Sequence, residues 1–409
     1  MNILFLNTSK GTGGAAIAAS RIMNSVAHQS TMESPIHVDF LSVEDIDVHN
    51  WIKLWKKAWE RLLIFLHNGF TTKRLWAVSL ANTGFDITKT NQFRRADIIH
   101  IHWINQGFIS LSTLKKILQS GKPVVWTMHD MWPLTGVCHH AYDCERYKSL
   151  CRDCPQLNRP SSHDLSTKVF HKKQEIYKSK NLHFVAVSSW LRNKAQTSIL
   201  MQDKTVEVIP NTVSLTDFQF LDKTQCRRRL NLPLDKDVIV FGAAKLDDPI
   251  KGFNILCDAL RKTQNTHLVL FGNIKSSVSD MLSRLPVPHT YMGNISSVQT
   301  LSEVYSAADI VVSASHYETF GQTLIEAMAC GCLAVSFDQG GQTDIIEHLS
   351  TGYLAHYPDA NDLAQGIRWA QKEGRERSER SERRESIEKR FSTQVVAKRY
   401  IELYNKLIQ

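Results

Sequence analysis

Long apolar runs are missing from this sequence: nowhere in its 409 residues is there a stretch near the ~18–20 consecutive apolar positions that a membrane-crossing helix needs. A helical membrane span is excluded. The N-terminal segment carries only four consecutive apolar residues, Ile3 to Leu6, before Lys10 and a glycine cluster, too few for a secretory leader core. It reads as a first strand, and the expected location is cytoplasmic, either free or peripheral at the inner face of the cell membrane. Proline (11) and glycine (19) are sparse and the apolar share is 43%, which excludes collagen-like and low-complexity classes. Eight cysteines are too few for a disulfide scaffold at this length, although Cys138, Cys144, Cys151 and Cys154 fall within 17 positions. Acidic residues are in deficit, 40 against 49 Lys plus Arg, and the net +9 points to anionic partners such as nucleotides, nucleic acid or an acidic membrane surface. Charge alone selects none of them.

What is present is a strict alternation of strand-like and helix-like runs, in a length that argues for two or three domains. Strand-like runs at 2–6, 37–43, 97–103, 123–128, 183–188 and 206–210 are interleaved with helical patterns at 13–26, 111–119 and 190–200. The grammar restarts with strand-like runs at 237–243, 267–273, 289–293, 309–314 and 333–338, and helices near 252–263, 297–307 and 320–329. This α/β pattern implies two doubly wound, Rossmann-like parallel sheets covered by helices, one over residues 1–210 and one over 211–390. No low-complexity linker parts them, so the two are expected to face each other across a cleft.

Two segments stand apart. In Trp51 to Leu66, spacing at 100° per residue gathers three Trp with Leu, Ile and Phe on one half and Lys53, Lys56, Lys57, Glu60 and Arg61 on the other. Such a helix is either an interfacial element for an anionic membrane or a surface helix whose apolar face meets the core. In 372–390, Glu at every third position with Arg at 377, 380 and 383 gives i,i+4 pairs, expected as a solvated, self-paired helix.

The first glycine segment, Gly11-Thr12-Gly13-Gly14-Ala15-Ala16, follows strand one and opens a helix. Glycines let a ligand approach the backbone, and the helix start offers unpaired N–H groups and a positive dipole end to an anion. Read literally, it matches the relaxed dinucleotide fingerprint with Asp39 on the next strand, which makes an NAD(P)-dependent oxidoreductase a rival reading. In the second sheet Lys245 and Lys251 flank a loop that ends at Gly252. Glu318 lies before a helix that contains Glu326, and eight positions of helix would part the two by roughly 12 Å. Carboxylates so placed can hydrogen-bond two distant parts of a polyhydroxylated ligand, and a sugar nucleotide has that shape.

At this point the sequence resembles the retaining glycosyltransferases of the GT-B fold, family 4. The resemblance rests on Ser315-x-x-Glu318-Thr319-Phe320-Gly321-x-x-x-x-Glu326-Ala327-Met328-Ala329-x-Gly331, on Lys251-Gly252, and on the Gly13-Gly14 loop, and it covers nearly the whole chain. Thr127-Met128-His129-Asp130-Met131-Trp132-Pro133-Leu134-Thr135-Gly136 with the cysteine cluster is similar to the branch that builds bacterial exopolysaccharide, capsule and colanic acid. The resemblance implies that Glu326 binds the nucleotide ribose and that Glu318 holds the donor sugar with backbone N–H groups near Phe320, Gly321 and Gln322. Lys245 and Lys251 would neutralise the diphosphate, the Gly13-Gly14 helix start would assist, and His129 would reach the sugar near the reacting face. It further implies a final helix, 391–409, packing back on the first domain. Lys245 stands where many relatives have Arg, a planar fork replaced by a flexible point charge.

Simpler readings accompany these. Glu318 has the position of a helix N-terminal acid, His129 that of a satisfied strand-end histidine, and His100 and His102 alternate with Ile as core histidines do. Asp45-x-Asp47 has the form of a metal motif of the other glycosyltransferase fold, but its loop context makes that coincidental. For Cys138, Cys144, Cys151 and Cys154 a structural zinc site, a disulfide or redox loop, and unlinked thiols all stand as readings. The expected reaction is metal-independent transfer of a hexose from a UDP- or GDP-sugar to a lipid-linked or oligosaccharide acceptor in surface polysaccharide synthesis, with no catalytic cofactor. A nucleic-acid-binding protein, the remaining rival, would leave Glu318 and Glu326 without a role.

Overall fold

The computed structural model describes residues 1–274, 280, 282–283, 285 and 287–409. The chain divides into two compact units, the first formed by Met1–Pro210 with Val396–Gln409 and the second by Asn211–Val395.

Unit 1 holds six strands, β1 (Asn2–Leu6), β2 (His37–Leu41), β3 (Ile98–Ile101), β4 (Val124–Met128), β5 (Leu182–Ala186) and β6 (Val206–Val208), in the order β2-β1-β3-β4-β5-β6. Every neighbouring pair is parallel. The central strands are buried on both faces, as continuous Ile/Val/Leu runs require when helices cover a parallel sheet. The last helix, Thr393–Ile408, inserts Val396, Tyr400, Leu403 and Tyr404 into the core formed with Ile3, Phe5, Ile98 and Val125. It is anchored by the Tyr404 hydroxyl on His100 Nδ1 at 2.7 Å and by Tyr400 on Thr127 at 3.0 Å. Phe391, expected to open this helix, instead closes the preceding one, Arg380–Phe391.

Unit 2 holds β7 (Asp237–Lys245), β8 (Thr266–Asn273), β9 (His289–Tyr291), β10 (Ile310–Ser313), β11 (Leu333–Phe337) and β12 (Gly352–Ala355), in the parallel order β12-β11-β10-β7-β8-β9. β12, Gly-Tyr-Leu-Ala, holds no β-branched residue, so nothing in the sequence marked it as a strand. In both sheets the strand order reverses at one place, between β1 and β3 and between β7 and β10. Open parallel sheets bind ligands outside the carboxyl ends of the strands at that switch.

The structure decides the orientation of one helix whose pattern left it open and corrects another. Helix Asn50–His67 faces its apolar half outward: Glu60 and Arg61 are buried, while Trp51, Leu54 and Trp55 are 66%, 68% and 58% exposed. The cause is backbone hydrogen bonding in the segment that follows. Glu60 accepts the N–H groups of Leu80 and Ala81 at 2.6 and 2.9 Å, and Arg61 donates to the carbonyls of Leu75 and Val78 while pairing with Glu60 at 2.9 Å. The stretch 372–390 is not one self-paired helix but two, Glu373–Arg377 and Arg380–Phe391. Arg380, Arg383 and Arg384 turn inward and donate to carbonyls at helix ends, including those of Ser306, Ala329, Cys330 and Gly331. Carbonyls left over at a helix C-terminus carry partial negative charge, and guanidinium groups satisfy them better than water reached through a packed surface.

Candidate functional site

In unit 1 the loops after β1 and β3 line a cavity of about 670 Å³ together with His129 and Asp130, which follow β4. The helix Gly14–Ala27 starts at its wall, with Gly13 as N-cap at φ 93° and no side chain capping the first turn. That φ is why a glycine stands at position 13. A Cβ placed on Gly11, Gly13 or Gly14 would meet nothing within 4 Å, so the space before the helix start is open to a ligand. Gly13, Gly14 and His129 are thus brought to one cavity, as the sequence reading expected.

His129 is held from behind. Its Nε2 lies 2.9 Å from His102 Nδ1, and the rings stack at 5.2 Å between centroids. Burial pushes its pKa down to about 4, against a smaller opposing pull from Asp130, so it is neutral at pH 7 and acts as a hydrogen-bonding group rather than a cation. Burial also holds His100 and His102 well below the ordinary histidine range. Asp130 accepts from Trp103 Nε1 at 2.9 Å and from the Trp132 N–H at 2.8 Å, and meets His139 Nδ1 at 2.7 Å. Trp103, Gln106, Asp130, Glu44, Lys53 and Lys57 also line the cavity, and sequence reasoning did not single them out as site residues. Only the His-x-His parity of β3, which puts residues 100 and 102 on one face, carried a signal.

The oxidoreductase reading loses its acidic residue. Asp39 is engaged by Arg95 through both Nε and Nη2, at 3.0 and 2.7 Å, and is not among the residues lining the cavity. Asp45 is likewise spoken for, closing a capping box with Ser42 and pairing with Lys10.

In unit 2 the predicted residues gather at the carboxyl ends of β7 and β10. The turn Pro249–Lys251 ends on Gly252 in the left-handed region, φ 65°. A Cβ there would lie 1.9 Å from the Ala314 carbonyl oxygen, so only glycine lets this loop seat against the end of β10. The His316 N–H, donating to the Ile250 carbonyl at 2.7 Å, fixes the same approach. As a result Lys251 Nζ reaches Glu318 Oε2 at 2.9 Å across 67 positions of sequence, with side chains 33% and 21% exposed. Lys251 is held above the ordinary lysine range, first by the Glu318 charge, so it is a cation at neutral pH. Lys245 ends β7 and is exposed.

Glu318 lies in the loop rather than in the helix. The helix is Gln322–Ala329, its N-cap is Gly321, and its first turn holds no acid, which removes the dipole-complementing role for Glu318. Glu326 sits inside that helix, 5% exposed, with the Tyr305 hydroxyl donating to it at 3.4 Å. The side chains of Phe320 and Gln322 are engaged by Phe391 and by the Thr212 carbonyl.

The four clustered cysteines line one small cavity beneath the loop that follows His129, and none is in a disulfide. The expected zinc centre is not assembled: among the described residues no group of three or more His, Cys, Asp or Glu is placed to hold a metal ion. Burial pushes Cys154 up to about 11 and Cys151 up to about 12, so they are neutral thiols. The loop is tied down by other means, with the Gly136 N–H on Cys151 Sγ at 3.2 Å and buried Lys173 on the carbonyls of Trp132 and Thr135.

Comparison with known proteins agrees with this arrangement. The pattern of the glycosyl transferases group 1 matches residues 222–389, and that of glycosyltransferase family 4 matches residues 65–217. An uncharacterized glycosyltransferase of Methanocaldococcus jannaschii is 25% identical over 316 residues, 71% of this chain and 79% of its own. An uncharacterized 41.2 kDa protein in the cps region of Klebsiella pneumoniae is 22% identical, over 70% of this chain and 73% of its own. Sucrose-phosphate synthase of Thermosynechococcus elongatus superposes with a TM-score of 0.68 at 17% identity, covering 99% of this chain and 98% of its own. The Anabaena protein HepE, solved with UDP and glucose, gives 0.62 at 17% identity over 99% of this chain and all of its own. With two doubly wound sheets, a matched pattern on each half and this fold among its structural neighbours, the chain belongs to the GT-B glycosyltransferases of family 4, group 1, and is a transferase enzyme.

Proposed function

We propose that the protein transfers a hexose, with retention of anomeric configuration, from a UDP- or GDP-sugar to a lipid-linked or oligosaccharide acceptor in bacterial surface polysaccharide synthesis. The Lys251–Glu318 pair is the observation that carries this reading: a cation and a carboxylate, half exposed and locked together at a switch point by Gly252. The cation suits the diphosphate of a sugar nucleotide and the carboxylate suits sugar hydroxyls, each replacing the other when the donor binds. Lys245 adds a second positive charge, and Glu326, beside Tyr305, takes the ribose hydroxyls. In unit 1, neutral His129 and the open helix start at Gly13 and Gly14 offer a ligand of their own cavity hydrogen-bonding groups.

In the transfer the bond from the anomeric carbon to the diphosphate oxygen breaks and a bond to the acceptor oxygen forms on the same face. The acceptor proton passes to the departing phosphate, whose growing charge the lysines stabilise. No protein nucleophile is required. Support for the donor class comes from HepE and its UDP and glucose; support for the pathway comes from the cps-region relative.

The test is product analysis with UDP- and GDP-hexoses and a panel of lipid-linked and oligosaccharide acceptors. A new glycosidic bond with the donor's anomeric configuration is expected. An inverted product, or stabilisation of the protein by NAD(H) and by no nucleotide sugar, overturns the reading.

A further inference from the structure

We infer that His102 is a positioning residue for His129: it fixes the ring proton of His129 on Nδ1, so that His129 serves the cavity of unit 1 as an N–H donor. The inference starts from the one contact between the two side chains, His102 Nδ1 to His129 Nε2 at 2.9 Å. Burial keeps both rings neutral at pH 7, so the contact is not made by an imidazolium. A neutral imidazole carries one N–H and one bare nitrogen, and one of the two facing atoms must therefore donate while the other accepts. Two arrangements meet that condition. If His102 donates, its own Nε2 is bare and the proton of His129 is on Nδ1. If His129 donates, the proton of His102 stands on Nε2 and Nδ1 of His129 is bare.

The far nitrogen of His102 decides between them. His102 is 2% exposed, and among the described residues its buried Nε2 has no hydrogen-bond partner. A bare nitrogen at that place forfeits an acceptor, whereas an N–H there is an orphaned buried donor, the rarer defect in folded proteins. The neighbouring rings supply no acceptor. Phe5 stacks on His102 at 5.7 Å with 15° between the planes, and His100, 4.2 Å away, has both nitrogens committed, to Tyr404 and to Thr127. The backbone under the ring is pinned as well, with the His102 N–H on the Leu6 carbonyl and the Trp126 Nε1 on the His102 carbonyl, each at 2.9 Å. His102 is thus the donor, and a supporting group sets the tautomer of the histidine that lines the cavity. With Nε2 spent on His102, the ring has an Nδ1 proton to share with a ligand oxygen. Resting on the transfer reading above, it is no base for the acceptor hydroxyl, which agrees with passage of that proton to the departing phosphate.

The experiment reads the ring nitrogens of the full chain at pH 7 by long-range proton–nitrogen correlation, with histidine isotopically labelled and the two signal sets identified through His102→Asn and His129→Gln. A proton on Nδ1 and a bare Nε2 are expected for both His102 and His129. A proton on Nε2 of either ring overturns the inference. Kinetics of nucleoside diphosphate release from UDP- and GDP-hexoses follow. His102→Leu is expected to lower kcat by about tenfold or more, with donor KM changed by less than about threefold, and His102→Asn, whose amide N–H takes the place of Nδ1–H, to recover most of that loss. Unchanged kcat in a folded His102→Leu protein overturns the inference, as does an equal loss in the Leu and Asn variants. Absence of turnover in the wild type strikes the transfer reading alone, because the tautomers decide this one without it.

Discussion

Lys251 and Glu318 show what a single residue pair can decide. Each was chosen from its own motif, and neither motif states that the two touch. The contact exists because Gly252 admits the loop to the end of β10, where a Cβ would lie 1.9 Å from the Ala314 oxygen. Removing the cation should therefore cost donor binding more than stability: Lys251→Met is expected to raise the donor KM by ~10–100-fold, with the melting temperature little changed, as steady-state kinetics and thermal melts would read. The histidines make a prediction of the opposite kind. Burial holds His129 at about 4 and His100 and His102 well below their ordinary range, so the unfolded chain binds protons that the folded chain refuses. Stability is then full above pH ~6.5 and falls as pH drops toward 4, with His129 alone accounting for about 3 kcal/mol of the loss. Denaturant unfolding at pH 7, 5.5 and 4.5 checks it; a flat profile contradicts it.

At the scale of elements, the strands were legible and the orientation of helices was not. Among the described residues, eleven of the twelve strands stand where short strand-like runs put them, most plainly the central ones, where burial on both faces of a parallel sheet writes itself as an unbroken apolar run. Helix Asn50–His67 was equally visible as a helix, but its buried side was decided by Leu80 and Ala81, whose N–H groups needed the Glu60 carboxylate. No wheel drawn on residues 51–66 contains residues 80 and 81. The arginines of Arg380–Phe391 went astray for the same reason. Periodicity paired them with glutamates of their own helix, whereas the structure spends Arg383 on the Gly331 carbonyl, through Nε at 3.1 Å and Nη2 at 2.9 Å, and on Ser378. Arg383 is 4% exposed, so Arg383→Met is expected to destabilise unit 2 by about 2–4 kcal/mol, seen as a lower urea midpoint at unchanged slope.

For the whole molecule, the excess of nine positive charges now has addresses. Part of it lies in Lys245 and Lys251 at the switch point of the second sheet, part in lysines on the inward half of helix Asn50–His67, and part in arginines consumed by helix carbonyls. Two sheets with reversed strand order explain why one chain carries two candidate sites, since each sheet has one switch point. What the sequence did not hold was the cysteine cluster. Its sequence left a zinc site, a disulfide and unlinked thiols all open, because the contacts that tie the loop, Lys173 on the Trp132 and Thr135 carbonyls and the Gly136 N–H on Cys151, involve partners outside the cluster itself.

Glu326 tests the account most directly, because it is buried beside Tyr305 and the proposal gives it one task, the ribose of the donor. The measurement is release of nucleoside diphosphate from the preferred UDP- or GDP-hexose by wild type and Glu326→Ala, with circular dichroism confirming the fold. The account predicts a drop in kcat/KM of about 100-fold or more in the variant. Undiminished turnover in a folded Glu326→Ala protein would contradict it.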